Sequence, residues 1–138
     1  MKLKRKIALL FASISLFSLG VGESINATDD LIKIYQGENV DNITTGKGTF
    51  TWVNGDKYVG DWVDDKRTGK GTFMWAYGEK YVGDFINNMA TGKGILFKIN
   101  GDKYEGDFLN DLANGKGTIT FANGKKLKGK WLNGNLVN

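Results

Sequence analysis

The ionisable side chains of this 138-residue chain are carboxylates, lysines, arginines and phenols, because it contains neither histidine nor cysteine. That removes the commonest general base and metal ligand, the thiol nucleophile, the disulfide and the Cys-ligated zinc. Asp56, Glu79 and Asp102 stand singly beside turn residues, and Asp64-Asp65 lies in a polar connection. Without histidine or a clustered third acid they do not make up a glycosidase pair or a calcium loop. Gly-Lys-Gly triplets recur, but the longer Gly-x-x-x-x-Gly-Lys-Ser/Thr pattern of a phosphate loop and its following helix are missing. The expectation is a protein that is not an enzyme and uses no cofactor and no metal.

Two recurring sets of residues remain as candidates for binding. Lys47, Lys70, Lys93 and Lys116 return every 23 residues, which on a sheet of two strands per period spaces them roughly 10 Å apart. Such a ladder fits the phosphate headgroups of anionic membrane lipid. Asp61, Asp84 and Asp107 recur with the same period, so alternating rows of opposite charge on a solvated face are the plainer reading. The second set is aromatic: Tyr58, Trp62, Phe73, Trp75, Tyr81, Phe85, Tyr104 and Phe108. Stacked on one another these rings form a core. Left uncovered, they form an apolar patch that marks a partner site, or cages for sugars or choline-like quaternary amines.

The elements that position these residues are repeats. Tyr35, Tyr58, Tyr81 and Tyr104 recur at a spacing of 23, with Leu127 in a fifth copy. Glycine follows two places on each time, at Gly37, Gly60, Gly83, Gly106 and Gly129. Then come Trp62, Phe85, Phe108 and Trp131, with Asn39 breaking the pattern in the first copy. Gly-Lys-Gly closes the connection, and another glycine, such as Gly55, ends each unit. Apolar residues alternate at period two in both halves, so each unit reads as two short strands. The Asn-Gly steps at 54–55, 100–101 and 123–124 signal hairpins.

Parity selects the turn. A two-residue turn at 54–55 would put Phe50 and Tyr58 on opposite faces, since side chains alternate along a strand. A three-residue loop over Val53-Asn54-Gly55, with Gly55 left-handed in a G1 bulge, sets Tyr58 opposite Phe50 and Gly60 opposite Gly48. The bulged loop is expected, because it gathers the large rings on one side. Facing glycines then leave a hollow for a ring of the adjacent hairpin. Lys57, Val59, Asp61 and Thr51 fall on the other, solvated side.

Ahead of the repeats, Met1–Lys6 is basic and Ile7–Val21 is continuously apolar, followed by Gly20, Gly22, Ser24 and Ala27. That order is the layout of a secretory signal peptide over residues 1–22, cut between 20 and 27 and entering as a hydrophobic helix. Retention as a membrane anchor is the alternative. Residues 23–34 read as a linker, 35–134 as the array and 135–138 as a tail. Asn26-Ala-Thr28 and Asn42-Ile-Thr44 fit the glycosylation acceptor pattern. The formal charge of +4 traces to Lys2, Lys4, Arg5 and Lys6; without those four, 19 − 4 = 15 basic residues balance 15 acidic ones. Bulk charge therefore gives no support to nucleic-acid binding.

Tyr-Val-Gly-Asp-Trp62, a polar stretch, Gly69-Lys-Gly71-Thr-Phe73 and the 23-residue period resemble the MORN (membrane occupation and recognition nexus) repeat over residues 35–134. Asp65-Lys66, Asn88-Met89 and Asp111-Leu112 occupy the stretch where that family often has Asn-Gly. The degenerate first and last copies suit the capping units of a repeat array. The resemblance implies an all-β, elongated single-sheet solenoid of tandem hairpins. It also implies protein–protein contact, self-association or membrane-lipid attachment, and no catalysis.

Overall fold

The computed structural model describes residues 35–40 and 43–137. The signal helix expected over residues 1–22, the linker up to residue 34 and the acceptor asparagines Asn26 and Asn42 lie outside the described residues. Within them the chain forms ten strands: β1 (Tyr35–Val40), β2 (Ile43–Thr51), β3 (Lys57–Val63), β4 (Lys66–Met74), β5 (Lys80–Ile86), β6 (Met89–Phe97), β7 (Lys103–Leu109), β8 (Leu112–Thr120), β9 (Lys126–Leu132) and β10 (Asn135–Leu136). They make one all-antiparallel sheet in which spatial order follows chain order. This is the all-β single sheet of tandem hairpins that the family resemblance implies, built from the two-strand units that the periodicity implies.

Two kinds of turn alternate along it. Between β2 and β3, Phe50 pairs with Tyr58 and Gly48 with Gly60. The Gly55 N–H donates to the Trp52 carbonyl at 3.0 Å, and the Trp52 N–H donates to the Asp56 carbonyl at 2.8 Å. Gly55 has φ +94°. This is the three-residue bulged loop that parity selects. The return connections are tighter. Asp64-Asp65, Asn87-Asn88 and Asn110-Asp111 each hold two successive residues at positive φ, between 48° and 74°. They form two-residue type I′ turns, a conformation that Asn and Asp tolerate better than other side chains. The turns sit one residue before the Asp65-Lys66, Asn88-Met89 and Asp111-Leu112 pairs singled out in the sequence.

Beyond each I′ turn the register slips. Trp62 pairs with Arg67 but Gly60 pairs with Gly71, so Asp61 faces the segment Thr68–Lys70. The excess is two residues, an even number, and the aromatic side of β4 stays the aromatic side. The same slip recurs between β5 and β6 and between β7 and β8.

The core is a file of rings lying along one face. Tyr58 lies across its own Gly60 and the neighbouring Gly71; a methyl group on Gly71 would overlap the phenol ring. Trp62 and Phe85 stand nearly upright on either side of Tyr58, each with its centroid 5.1 Å away and at 86° and 85°. The pattern continues through Tyr81, Phe108, Tyr104 and Trp131 with centroid separations of 4.9–5.2 Å. Edge-to-face pairs of this kind add about 0.5–1.5 kcal/mol each beyond burial. The hydroxyls of Tyr58, Tyr81 and Tyr104 donate to the carbonyls of Asp61, Asp84 and Asp107 at 2.9–3.1 Å. Burial, reinforced by those neighbouring aspartates, raises the pKa of all three phenols.

The ring in each hollow comes from the adjacent hairpin, and it covers a glycine of its own strand as well. Tyr58, Tyr81 and Tyr104 fold down over Gly60, Gly83 and Gly106 and over Gly71, Gly94 and Gly117 of the next hairpin. Gly60 and Gly71 pair across the I′ connection.

These contacts separate two roles for glycine. Gly71→Ala forces a methyl group into the Tyr58 ring and should cost about 2–3 kcal/mol. Gly78→Ala meets nothing within 4 Å but sits at φ +112°, and should cost about 1 kcal/mol from backbone strain alone. Urea denaturation measures both. Near-ultraviolet circular dichroism should change for Gly71→Ala only, and equal spectra for the two variants would contradict this packing.

Candidate functional site

On the polar side the lysine ladder is tied down. Lys47 faces Asp61 across β2 and β3, and its Nζ lies 2.7 Å from Oδ1. Lys70 pairs in the same way with Asp84, and Lys93 with Asp107. Each aspartate also accepts a backbone N–H from the far side: Lys70 to Asp61 at 3.0 Å, Lys93 to Asp84 at 2.9 Å and Lys116 to Asp107 at 2.8 Å. One carboxylate thereby joins three strands. Gly69, at φ +106°, leaves the space the Asp61 side chain fills. Lys116 stands opposite Lys130 instead of an aspartate. Of the four candidate lipid-contact lysines, Lys47, Lys70 and Lys93 are thus ion-paired within the sheet.

The aromatic candidates are all brought together. Tyr58, Trp62, Phe73, Tyr81, Phe85, Tyr104 and Phe108 are buried in one cluster, against which the half-buried Trp75 packs. Their rings stack on one another, so a partner would meet the rim, where Trp52 and Trp75 lie beside Phe73 at 5.3 and 4.8 Å.

Sequence reasoning missed Arg67. Its guanidinium sits over four rings, with Cζ 5.6 Å from the centroid of Trp52, 5.8 Å from Tyr58, 5.1 Å from Phe73 and 5.5 Å from Phe85. It donates to the Asn88 carbonyl at 2.7 Å, and its backbone N–H donates to the Asn88 side chain at 2.9 Å. Burial lowers its pKa, while the charges of Asp111 and Tyr58 pull the other way. The signal was available: the corresponding residues of the next copies are Ala90 and Ala113, so a cation breaks the period on the aromatic side.

One period further along, a cavity of about 370 Å³ opens on that side. Trp75, Tyr81, Ala90, Leu96 and Phe108 line it, and Glu79, Asp111 and Arg67 bring charge to it. Such a site offers ring faces, apolar contact and carboxylates.

The aspartate links make stability depend on pH. The Lys47 side chain, then the Lys70 N–H, hold the Asp61 carboxyl below its ordinary value; Lys93 and the Lys116 N–H do the same for Asp107. At Asp84 burial alone would raise the value, but Lys70 and the Lys93 N–H together bring it down. A carboxylate with a depressed folded-state pKa contributes stability above its unfolded pKa and loses it as the pH falls through the folded value. The urea midpoint should therefore be level above about pH 5 and fall progressively below about pH 4. Asp61→Asn should flatten part of that fall, and an unchanged acid limb would argue against the link.

No curated protein matches the chain. The MORN repeat model matches four tandem stretches, residues 35–57, 58–79, 81–103 and 104–126. The first of these includes the copy with Asn39, and the four together stop short of the copy that begins at Leu127. With repeats of this kind over most of its length, the chain belongs to the MORN repeat family, a non-catalytic repeat family whose repeats generally serve as protein- and membrane-binding modules.

Proposed function

We propose that this chain is an exported, non-enzymatic scaffold that holds a protein partner, or a second copy of itself, against the aromatic side of its sheet. The observation that carries this reading is the cavity of about 370 Å³ on that side. All ten described strands lie in one sheet, so among the described residues no second layer covers the rings. Open apolar surface with an aromatic rim is characteristic of interaction sites. Export is supported by the basic and then apolar order of the first residues.

Trp75→Ala on the rim tests the partner half, with circular dichroism confirming that the variant folds. A partner captured from the native compartment by the wild type should be lost, or its affinity should fall about tenfold or more. Equal capture by both forms would sink this use of the aromatic side. Light scattering tests the second copy, and a monomer at high concentration would remove it.

A second reading rests on the far end of the sheet. Beyond Asp111 the chain carries Lys116, Lys125, Lys126, Lys128 and Lys130 and no acid. Lys126, Lys128 and Lys130 alternate along β9, with Lys130 paired to Lys116 across the sheet. This basic end, rather than the ion-paired ladder, suits an anionic membrane surface. Flotation with anionic liposomes should weaken with salt and with Lys128→Glu/Lys130→Glu; failure to bind at low salt would end this reading.

A further inference from the structure

The sheet contains the same ring box twice, once filled and once open. In the filled one, Arg67 projects from its place opposite Trp62 and lies over Trp52, Tyr58, Phe73 and Phe85. Moving on by 23 residues turns those rings into Trp75, Tyr81, Leu96 and Phe108, which line the open cavity. Arg67 becomes Ala90, which pairs with Phe85 as Arg67 pairs with Trp62. The open box therefore keeps three of the four rings, with Leu96 in place of Phe73, and no cation stands at its Ala90 position, although Arg67 is among the residues that line it.

The polar surroundings carry over as well. Asn88, which accepts from both the Arg67 guanidinium and its backbone N–H, becomes Asp111, whose side chain accepts from the Ala90 N–H at 2.7 Å. The Asp111 carbonyl thereby takes the place of the carbonyl that receives the guanidinium in the filled box. An uncharged amide has also been exchanged for a carboxylate. The charges lining the cavity are Glu79, Asp111 and Arg67, which sum to −1 even with the resident arginine included. A third repetition does not reproduce the box, because Lys98 stands where Trp75 would recur.

We infer that the cavity over Ala90 is a binding site for a guanidinium group, supplied by an arginine side chain of a protein partner. The molecule provides the precedent in Arg67: the equivalent box one period earlier, with Phe73 at the position of Leu96, already holds that group. This inference rests on the reading of the aromatic side as a protein-binding surface and specifies what the partner must present. A guanidinium fits better than an ammonium because its planar face stacks on rings while its edge donates to a carbonyl.

The test uses the full chain and N-acetyl-arginine methylamide as probe, followed by the indole N–H resonances of its four tryptophans. Trp75 should shift saturably, and the isosteric citrulline derivative should give no saturable shift. Asp111→Asn, which restores the residue type of the filled box, should weaken binding about threefold to tenfold. Ala90→Arg should abolish it by supplying a tethered guanidinium, and Arg67→Ala should add a second saturable response at Trp52. An equal response to citrulline or choline, unchanged affinity in Asp111→Asn, or undiminished binding in a folded Ala90→Arg variant would each overturn the assignment. If the probe gives no response while partner capture still depends on Trp75, the guanidinium assignment falls and the scaffold reading stands.

Discussion

Tyr58 can lie flat across Gly60 and Gly71 only because neither glycine carries a side chain, and the interior of the sheet follows from that accommodation. A single sheet has no second layer against which to bury an apolar face. Here the rings supply the missing layer themselves, by leaning over and standing against one another. Tyr58 reaches 0 % exposure, and the rings that stand against it, Trp62 and Phe85, reach 2 % and 3 %. The phenol hydroxyl, which burial would otherwise leave unpaired at a cost of about 1–3 kcal/mol, finds a carbonyl on its own strand.

The two sides of the sheet are coupled at the register slip. The two extra residues opposite Asp61 let the carboxylate reach the Lys70 N–H on one side while Lys47 holds it from the other. On the reverse side the same slip brings Gly71 under the ring of Tyr58. The Gly-Lys-Gly triplet thus has three distinct tasks. Its first glycine makes room for an aspartate, its lysine pairs with the next one, and its last glycine admits a ring. Lys47, Lys70 and Lys93 of the ladder still face outward, while each pairs with the aspartate opposite it in the same hairpin and the aspartate reaches across to the next.

Much of this was legible in the residues. Alternation fixed the strands, and the parity of Phe50 and Tyr58 fixed the bulged loop, because an odd or even loop length decides which face a side chain takes. The return turns were harder to place, since Asp64-Asp65 reaches positive φ without glycine and spells no familiar turn dipeptide. The direction in which each tyrosine leans was not legible: periodicity says which face a ring occupies and nothing about which glycine it covers. Arg67 was overlooked for a different reason. A charged residue in a polar connection is ordinarily solvated, and only the placement of four rings around it makes burial tolerable. The cavity depends in turn on comparing Arg67 with Ala90 in three dimensions.

The alternation of an odd loop with an even turn also constrains how such a protein lengthens or shortens. Losing or duplicating one full 23-residue period restores every facing pair and changes the span by two strands, about 10 Å. Inserting a single residue within a strand would instead send the following rings to the watery face and the lysines to the ring side. Change by whole units is thus tolerated and change by single steps is not, so sheets of this construction are expected to differ in length by discrete increments.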